Sequence, residues 1–302
     1  MADTTNPVDA FGRVLTAMVT PFTGDGGLDL DSAQRLATHL VDSGNDGVVV
    51  SGTTGESPTT TDSEKERLLR AVVEAVGDRA RVVAGVGTND THHTVELARS
   101  AEKAGANAVL VVTPYYNKPP QDSLVRHFEM AADATGLPVM LYDIPGRTGT
   151  PIATESLFRL AAHERIVAVK DAKGDLFTGS RVIAETGLAF YSGDDALNLA
   201  WLTAGAVGVV SVVPHVAPTE TAALVAAVER SDLPEALRLH RSLIPAIRAV
   251  MTQASQGAIM AKAAVHAAGL ISSRTVRPPL FEADDDQVTE LRAVLTAAGL
   301  VS

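Results

Sequence analysis

Short, continuously apolar runs recur along the chain, and between them lie segments whose apolar residues return every three or four positions. Strands are predicted at 14–22 (VLTAMVTPF), 47–52 (GVVVSG), 81–87 (RVVAGVG) and 107–116 (NAVLVVTPYY). Four more follow at 138–145 (PVMLYDIP), 166–172 (IVAVKDA), 188–195 (LAFYSGDD) and 206–214 (AVGVVSVVP). Runs that do not alternate with polar residues fit parallel strands buried on both faces. The intervening stretches are amphipathic. In TDSEKERLLRAVVEAVGD, Leu68, Leu69, Val72, Val73 and Val76 share one helical face behind a cap at Thr61 or Asp62. GLDLDSAQRLATHLVDSG places Leu36, Ala37, Leu40 and Val41 inward and stops at Gly44.

Strand and helix alternating eight times predict an α/β fold, a closed (β/α)8 TIM barrel; an open doubly wound sheet is the other arrangement with this pattern. Beyond the eighth strand only helical patterning remains, as in PEALRLHRSLIPAIRAVM and DDQVTELRAVLTAAG. One such helix completes the barrel, so the expected division is a catalytic barrel over 1–230 and a C-terminal helical extension over 231–302.

Composition adds exclusions. The 302 residues carry a net charge of −11, against the basic face that nucleic acid or an anionic membrane requires. There is no cysteine, which removes disulfides, thiolate metal sites and a cysteine nucleophile. The start MADTTNPVDAFG lacks the basic and apolar regions of a signal peptide, and no apolar run reaches the ~18 residues of a membrane span, so a cytoplasmic protein is expected.

In a barrel of this kind the chemistry sits at the C-terminal rim of the strands. The segments expected there are GTTGES (52–57), TPYYNKP (113–119), YDIPGRTG (142–149), VKDAKGD (169–175) and YSGDD (191–195). They offer hydroxyls, free backbone amides, one arginine and a lysine at a strand end, without metal-ligand spacing of carboxylates and histidines. Lys170 is the unusual residue, because lysine is seldom buried. An amine is nucleophilic only when neutral, and at a reference pKa near 10.4 only about one in a few thousand is neutral at pH 7. Burial at the end of an apolar strand, with Ala168 and Ile166 on the same face, would lower that pKa and suit Schiff-base formation with a carbonyl. Lys173 stands past the strand beside Gly174, an expected solvated position. Asp171 and Asp175 are expected to orient loops, His92 and His93 to cap or solvate a helix start, and GVGTND falls short of a dinucleotide fingerprint.

SGTTGESPT, VTPYYNKP, YDIPGRTG, VKDAKGD and SGDD, in that order and spacing, resemble the 4-hydroxy-tetrahydrodipicolinate synthases of the pyruvate-dependent class I aldolase and lyase superfamily. The resemblance runs from about residue 14 through the C-terminal helices. It implies a cofactor-free, metal-free condensation of pyruvate with L-aspartate 4-semialdehyde. Lys170 would carry pyruvate as a Schiff base, and Thr54 with the GTTG amides would bind its carboxylate. Tyr142 would move protons through the Thr53 hydroxyl to Tyr116, a tyrosine supplied by a neighbouring subunit of a homotetramer built as a dimer of dimers. Arg147 would grip the carboxylate of the second substrate, and Gly193 and Val210 would line the pocket. The alternatives are an aldolase for keto sugar acids such as N-acetylneuraminate or ketodeoxygluconate, against which Arg147 argues, and a non-catalytic oxoacid-binding barrel.

The resemblance also extends to feedback. Lysine-inhibited bacterial relatives bind the end product in a cavity lined by the segment after the GTTGES loop. This chain aligns Asp62 and Lys65 with two expected histidines and His93 with an expected glutamate, while keeping Ser57, Asn89 and Tyr115. Weak or absent inhibition is therefore expected.

Overall fold

β1 (Val14–Ala17) pairs in parallel with β2 (Gly47–Val50) on one side and β8 (Gly208–Ser211) on the other, and the second pairing closes the sheet. The computed structural model describes residues 6–251 and 257–300. Between those strands run β3 (Arg81–Gly85), β4 (Ala108–Val112), β5 (Val139–Asp143), β6 (Ile166–Asp171) and β7 (Ala189–Ser192), each parallel to its neighbours, completing a barrel in sequence order. The open-sheet alternative is excluded. Strand residues are buried almost throughout, as the unbroken apolar runs require.

Each strand is shorter than its apolar run. The run at 14–22 pairs only to Ala17, and that at 206–214 only over 208–211. Val19, Phe22, Val212 and Val213 beyond these ends are nonetheless buried. Phe22 makes an isolated antiparallel bridge to Leu28, and none of the four belongs to the barrel's parallel pairing, so hydrophobicity there reports burial beyond the strand ends. One further irregularity bears on the site. The β5–β6 register steps from Val139↔Ile166 to Met140↔Ala168, so the alternation connecting Lys170 with Ala168 is interrupted before Ile166.

The helices are α1 (Pro7–Phe11), α2 (Leu30–Asp42), α3 (Asp62–Val76), α4 (Thr91–Lys103), α5 (Gln121–Asp133), α6 (Pro145–Thr148), α7 (Thr154–Leu160), α8 (Leu176–Thr186), α9 (Asn198–Thr203) and α10 (Pro218–Glu229). Caps fix where they begin. Thr61 and Glu64 form a reciprocal capping box on α3, Asp29 caps α2 and Asp175 caps α8. α1 lies at the foot of β1, where the Tyr191 hydroxyl donates to Gly12 O at 2.8 Å and the Phe11 and Tyr191 rings meet edge to face.

α11 (Leu233–Val250), α12 (Gly257–Ala267) and α13 (Asp285–Ala297) form the C-terminal helical part. They pack on one another, and α12 touches the turn after β8. The strand-free segment after α12 reaches across the rim. Arg277 there binds Glu64 through both oxygens (2.6 and 2.9 Å) and donates to the carbonyls of Gly26 and Thr59, each at 2.8 Å.

Candidate active site

Lys170 and Tyr142 are register partners on β6 and β5, so both side chains leave the sheet at one level. The Lys170 amine lies 4.1 Å from the centre of the Tyr142 ring, and both residues are about 5% exposed. Burial pulls the Lys170 pKa down to about 8, opposed by the carboxylate of Asp195 and assisted by the positive charge of Arg147. Burial pushes the Tyr142 phenol up to about 12, with Arg147 and the Thr53 side chain acting against the rise and Asp194 adding to it.

Gly193 follows from the same packing. Its amide donates to Asp171 O at 2.7 Å, and a Cβ added to it would lie 2.9 Å from both Cγ and Cε of Lys170. Only a residue without a side chain leaves room for the lysine. Val210 on β8 is buried. Asp195, beside it, accepts from the Ser211 hydroxyl and from the amides of Val212 (3.0 Å) and Val213 (3.1 Å), tying the end of β7 to the end of β8.

A cavity of about 400 Å³ opens at the ends of β2 to β5. Thr53, Tyr142 and Arg147 stand on its wall, and it continues past Tyr115 and Asn89 to Asp62, Lys65 and His93. Thr54, Lys170, Gly193 and Val210 are not on that wall; Thr54, Lys170 and Val210 are buried and Gly193 is half-buried. Arg147 lies on the single-turn α6, exposed and turned to the cavity rather than to a surface acid. Tyr116 is the exception: it is 88% exposed, has φ of 74°, and does not reach this cavity within its own chain. Its neighbour Tyr115 does.

Two expectations change. Lys173 is not solvated; its amine lies 3.3 Å from the buried Asp143 carboxylate, whose other oxygen accepts from the Ile152 amide at 3.2 Å. Burial raises Asp143 to about 6 even against that cation. The pair braces the turn that carries Arg147. His93 does not cap; its side chain, 35% exposed, places Nε2 2.9 Å from Asp62 Oδ2, while His92 remains exposed near Glu96. Asp195 and Asp143 were not read as site residues, and Tyr115 was read only as part of the feedback cavity. Asp195 stood in the quoted YSGDD, but nothing in the sequence aims it at Ser211.

Asp171 does orient a loop, whereas Asp175 caps α8. Asp171 Oδ1 accepts from the amides of Lys173 and Gly174 at 3.0 and 2.8 Å, and Asp175 Oδ1 accepts from Thr178 at 3.1 Å. Among the described residues, no group of three or more His, Cys, Asp or Glu side chains is arranged to hold a metal ion.

A family model described as the dihydrodipicolinate synthetase family matches residues 10–298. A 4-hydroxy-tetrahydrodipicolinate synthase of Kineococcus radiotolerans is 62% identical over 299 residues, spanning 99% of this chain and 97% of its own. One from Acidothermus cellulolyticus is 66% identical over 289 residues, 96% of this chain and 93% of its own. The crystal structure of the dihydrodipicolinate synthase of Cyanidioschyzon merolae with lysine bound superposes with a TM-score of 0.91 at 40% identity, covering 97% and 99% of the two chains.

Proposed function

The chain belongs to the dihydrodipicolinate synthetase family, and we propose that the cluster around Lys170 carries out the family's reaction. The activity is that of a 4-hydroxy-tetrahydrodipicolinate synthase, a lyase of lysine biosynthesis by the diaminopimelate route, acting on pyruvate and L-aspartate 4-semialdehyde. The observation that carries the site assignment is the buried Lys170 amine 4.1 Å from the Tyr142 ring at the end of β6.

Neutral Lys170 attacks the keto carbon of pyruvate, and loss of water leaves an iminium. The positive nitrogen acidifies the adjacent methyl group, whose proton leaves to give an enamine. Thr54 and the amides of the 52–55 turn hold the pyruvate carboxylate. Tyr142, with Thr53, passes protons to and from the forming and departing groups. Arg147 draws in the carboxylate of the second substrate, and the enamine carbon attacks its aldehyde. The amino group of that substrate then displaces Lys170 from the iminium carbon, closing the ring and freeing the enzyme. Gly193 leaves space for the lysine and Val210 closes the pocket behind it. No step needs a cofactor.

Tyr116 is proposed to complete the Tyr142–Thr53 relay in a second copy of the chain. Exposure of 88% and a left-handed backbone in a non-glycine residue are both expected of a side chain held by a partner. The assembly proposed is a tetramer of two tight dimers, acting in the cytoplasm. No helix among the described residues is long and apolar enough to cross a membrane. Sedimentation should give four chains; a fully active monomer would contradict the shared site.

An assay of product formation from pyruvate and aspartate semialdehyde tests the reaction. Turnover there, with none on N-acetylneuraminate or ketodeoxygluconate, is expected; the reverse preference would make it a keto-sugar-acid aldolase.

A further inference from the structure

Lys262 is completely buried, in a helix whose other buried residues are glycine, alanine, methionine and valine. Its amine forms an ion pair with Glu56 Oε1, donates to Thr275 O at 2.7 Å and stands 4.0 Å from the centre of the Phe22 ring. The second carboxylate oxygen of Glu56 accepts from the Arg277 amide at 2.8 Å. Both oxygens of Glu56 are thus bound by the C-terminal part of the chain, more than 200 residues away in sequence. Burial still lowers Lys262 to about 8 against the pull of Glu56. An ion pair buried in this way is a weak source of stability, since well-packed apolar residues would serve as well. Its geometry is what apolar residues would not reproduce.

Glu56 ends the turn that begins at Gly52 and carries Thr53 and Thr54. Its backbone is left-handed, φ 54°, as is that of Ser51 at the turn's start, φ 56°. Non-glycine residues hold that conformation only when their surroundings impose it. Within the turn, Glu56 N donates to Thr53 O at 3.1 Å and Ser57 N to Gly52 O at 3.2 Å. From outside come the Thr20 hydroxyl, donating to Gly55 O at 2.6 Å, and the two ties on the Glu56 carboxylate. We propose that Glu56 and Lys262 are positioning residues for the first substrate: through this contact the C-terminal helices hold the strained turn that presents Thr53, Thr54 and their amides to the pyruvate carboxylate. The proposal rests on the reading of that turn as the pyruvate site.

The test uses the whole protein and three variants: Lys262→Met, the charge-balanced Glu56→Gln/Lys262→Met, and Glu56→Asp, which keeps the pair but draws the turn in by one methylene. The pyruvate concentration giving half-maximal borohydride trapping is measured for each, with steady-state KM for both substrates and a thermal melt. Half-trapping should need about tenfold more pyruvate in Lys262→Met and in the double variant, and several-fold more in Glu56→Asp. KM for aspartate semialdehyde should stay within twofold. A pair that served only the fold would lower the active fraction and leave both concentration dependences alone. That outcome, or wild-type pyruvate dependence in a folded double variant, would overturn the proposal. Failure of the wild-type protein to trap pyruvate would instead remove the functional reading beneath it.

Discussion

Gly193 and Lys170 occupy adjoining space: a methyl group on the glycine would sit 2.9 Å from two carbons of the lysine side chain and 3.0 Å from Asp171 O. Gly193→Ala must therefore move the amine or the end of β7. Displacement by ~1 Å can cost ~100-fold in rate. A fall of about that size in kcat/KM for pyruvate is expected, with an unchanged circular dichroism spectrum. Wild-type kinetics would mean that Lys170 does not need the position the structure gives it.

The depressed pKa of Lys170 gives a pH dependence with a definite sign. At about 8, roughly one amine in ten is neutral at pH 7, against about one in a few thousand at the ordinary value. Adduct formation with pyruvate should therefore accelerate with rising pH and level off above about 8. The same shift opposes folding, since the unfolded chain takes up the proton more readily. The penalty is full below about 8 and fades as pH climbs toward the unfolded value of 10.5. Lys170→Met should be inactive yet more stable at pH 7, by ~2 kcal/mol, taking about 1.4 kcal/mol for each pH unit with allowance for relaxation. Thermal melts from pH 7 to 10 should show the advantage shrinking. A variant less stable than wild type at pH 7 would contradict the burial argument.

Arg147 is expected to separate the two substrates. Removing a charged donor to a carboxylate costs ~1.5–3 kcal/mol, or ~10- to 150-fold. Arg147→Ala should lose kcat/KM for aspartate semialdehyde in that range while still trapping pyruvate. Because its charge also favours neutral Lys170, trapping should shift modestly toward higher pH. Equal loss on both substrates would assign Arg147 to the first half-reaction.

The outer end of the cavity bears on feedback. Asp62, the acid that would meet a ligand ammonium, is already engaged by His93 at 2.9 Å and by Lys65 at 3.9 Å. Lys65 is itself held against Thr60 O at 2.5 Å. A second ammonium ~4 Å from Lys65 is repelled by up to roughly 4 kcal/mol at an effective dielectric near 20, and even ~1.4 kcal/mol is tenfold in affinity. L-Lysine titrated into the assay at saturating pyruvate should half-inhibit only above ~1 mM. Inhibition well below that would show a binding mode in which Lys65 and Asp62 do not oppose the ligand.

The barrel was legible because its strands are buried on both faces and leave unbroken apolar runs. Their ends were not: Val19, Phe22, Val212 and Val213 are as apolar and as buried as the strands, but lie outside the barrel's parallel pairing. The burial of Lys170 could be read from its place at the end of IVAVK. The residues around it are less accessible to such reading. Lys173 looked solvated because its partner, Asp143, lies on another strand. Lys262 interrupts the apolar helix GAIMAKAAVHA conspicuously, but no local pattern points to Glu56. Single-residue oddities are local and can be seen in a sequence; the pairs that explain them are made by the closed barrel.

Reduction of the pyruvate adduct tests the central assignment most directly. Borohydride added with pyruvate should inactivate the protein irreversibly and add one reduced pyruvyl mass to the peptide bearing Lys170, whereas borohydride alone should do neither. An adduct on Lys173 or Lys262, or full activity after the treatment, would contradict Lys170 as the Schiff-base lysine.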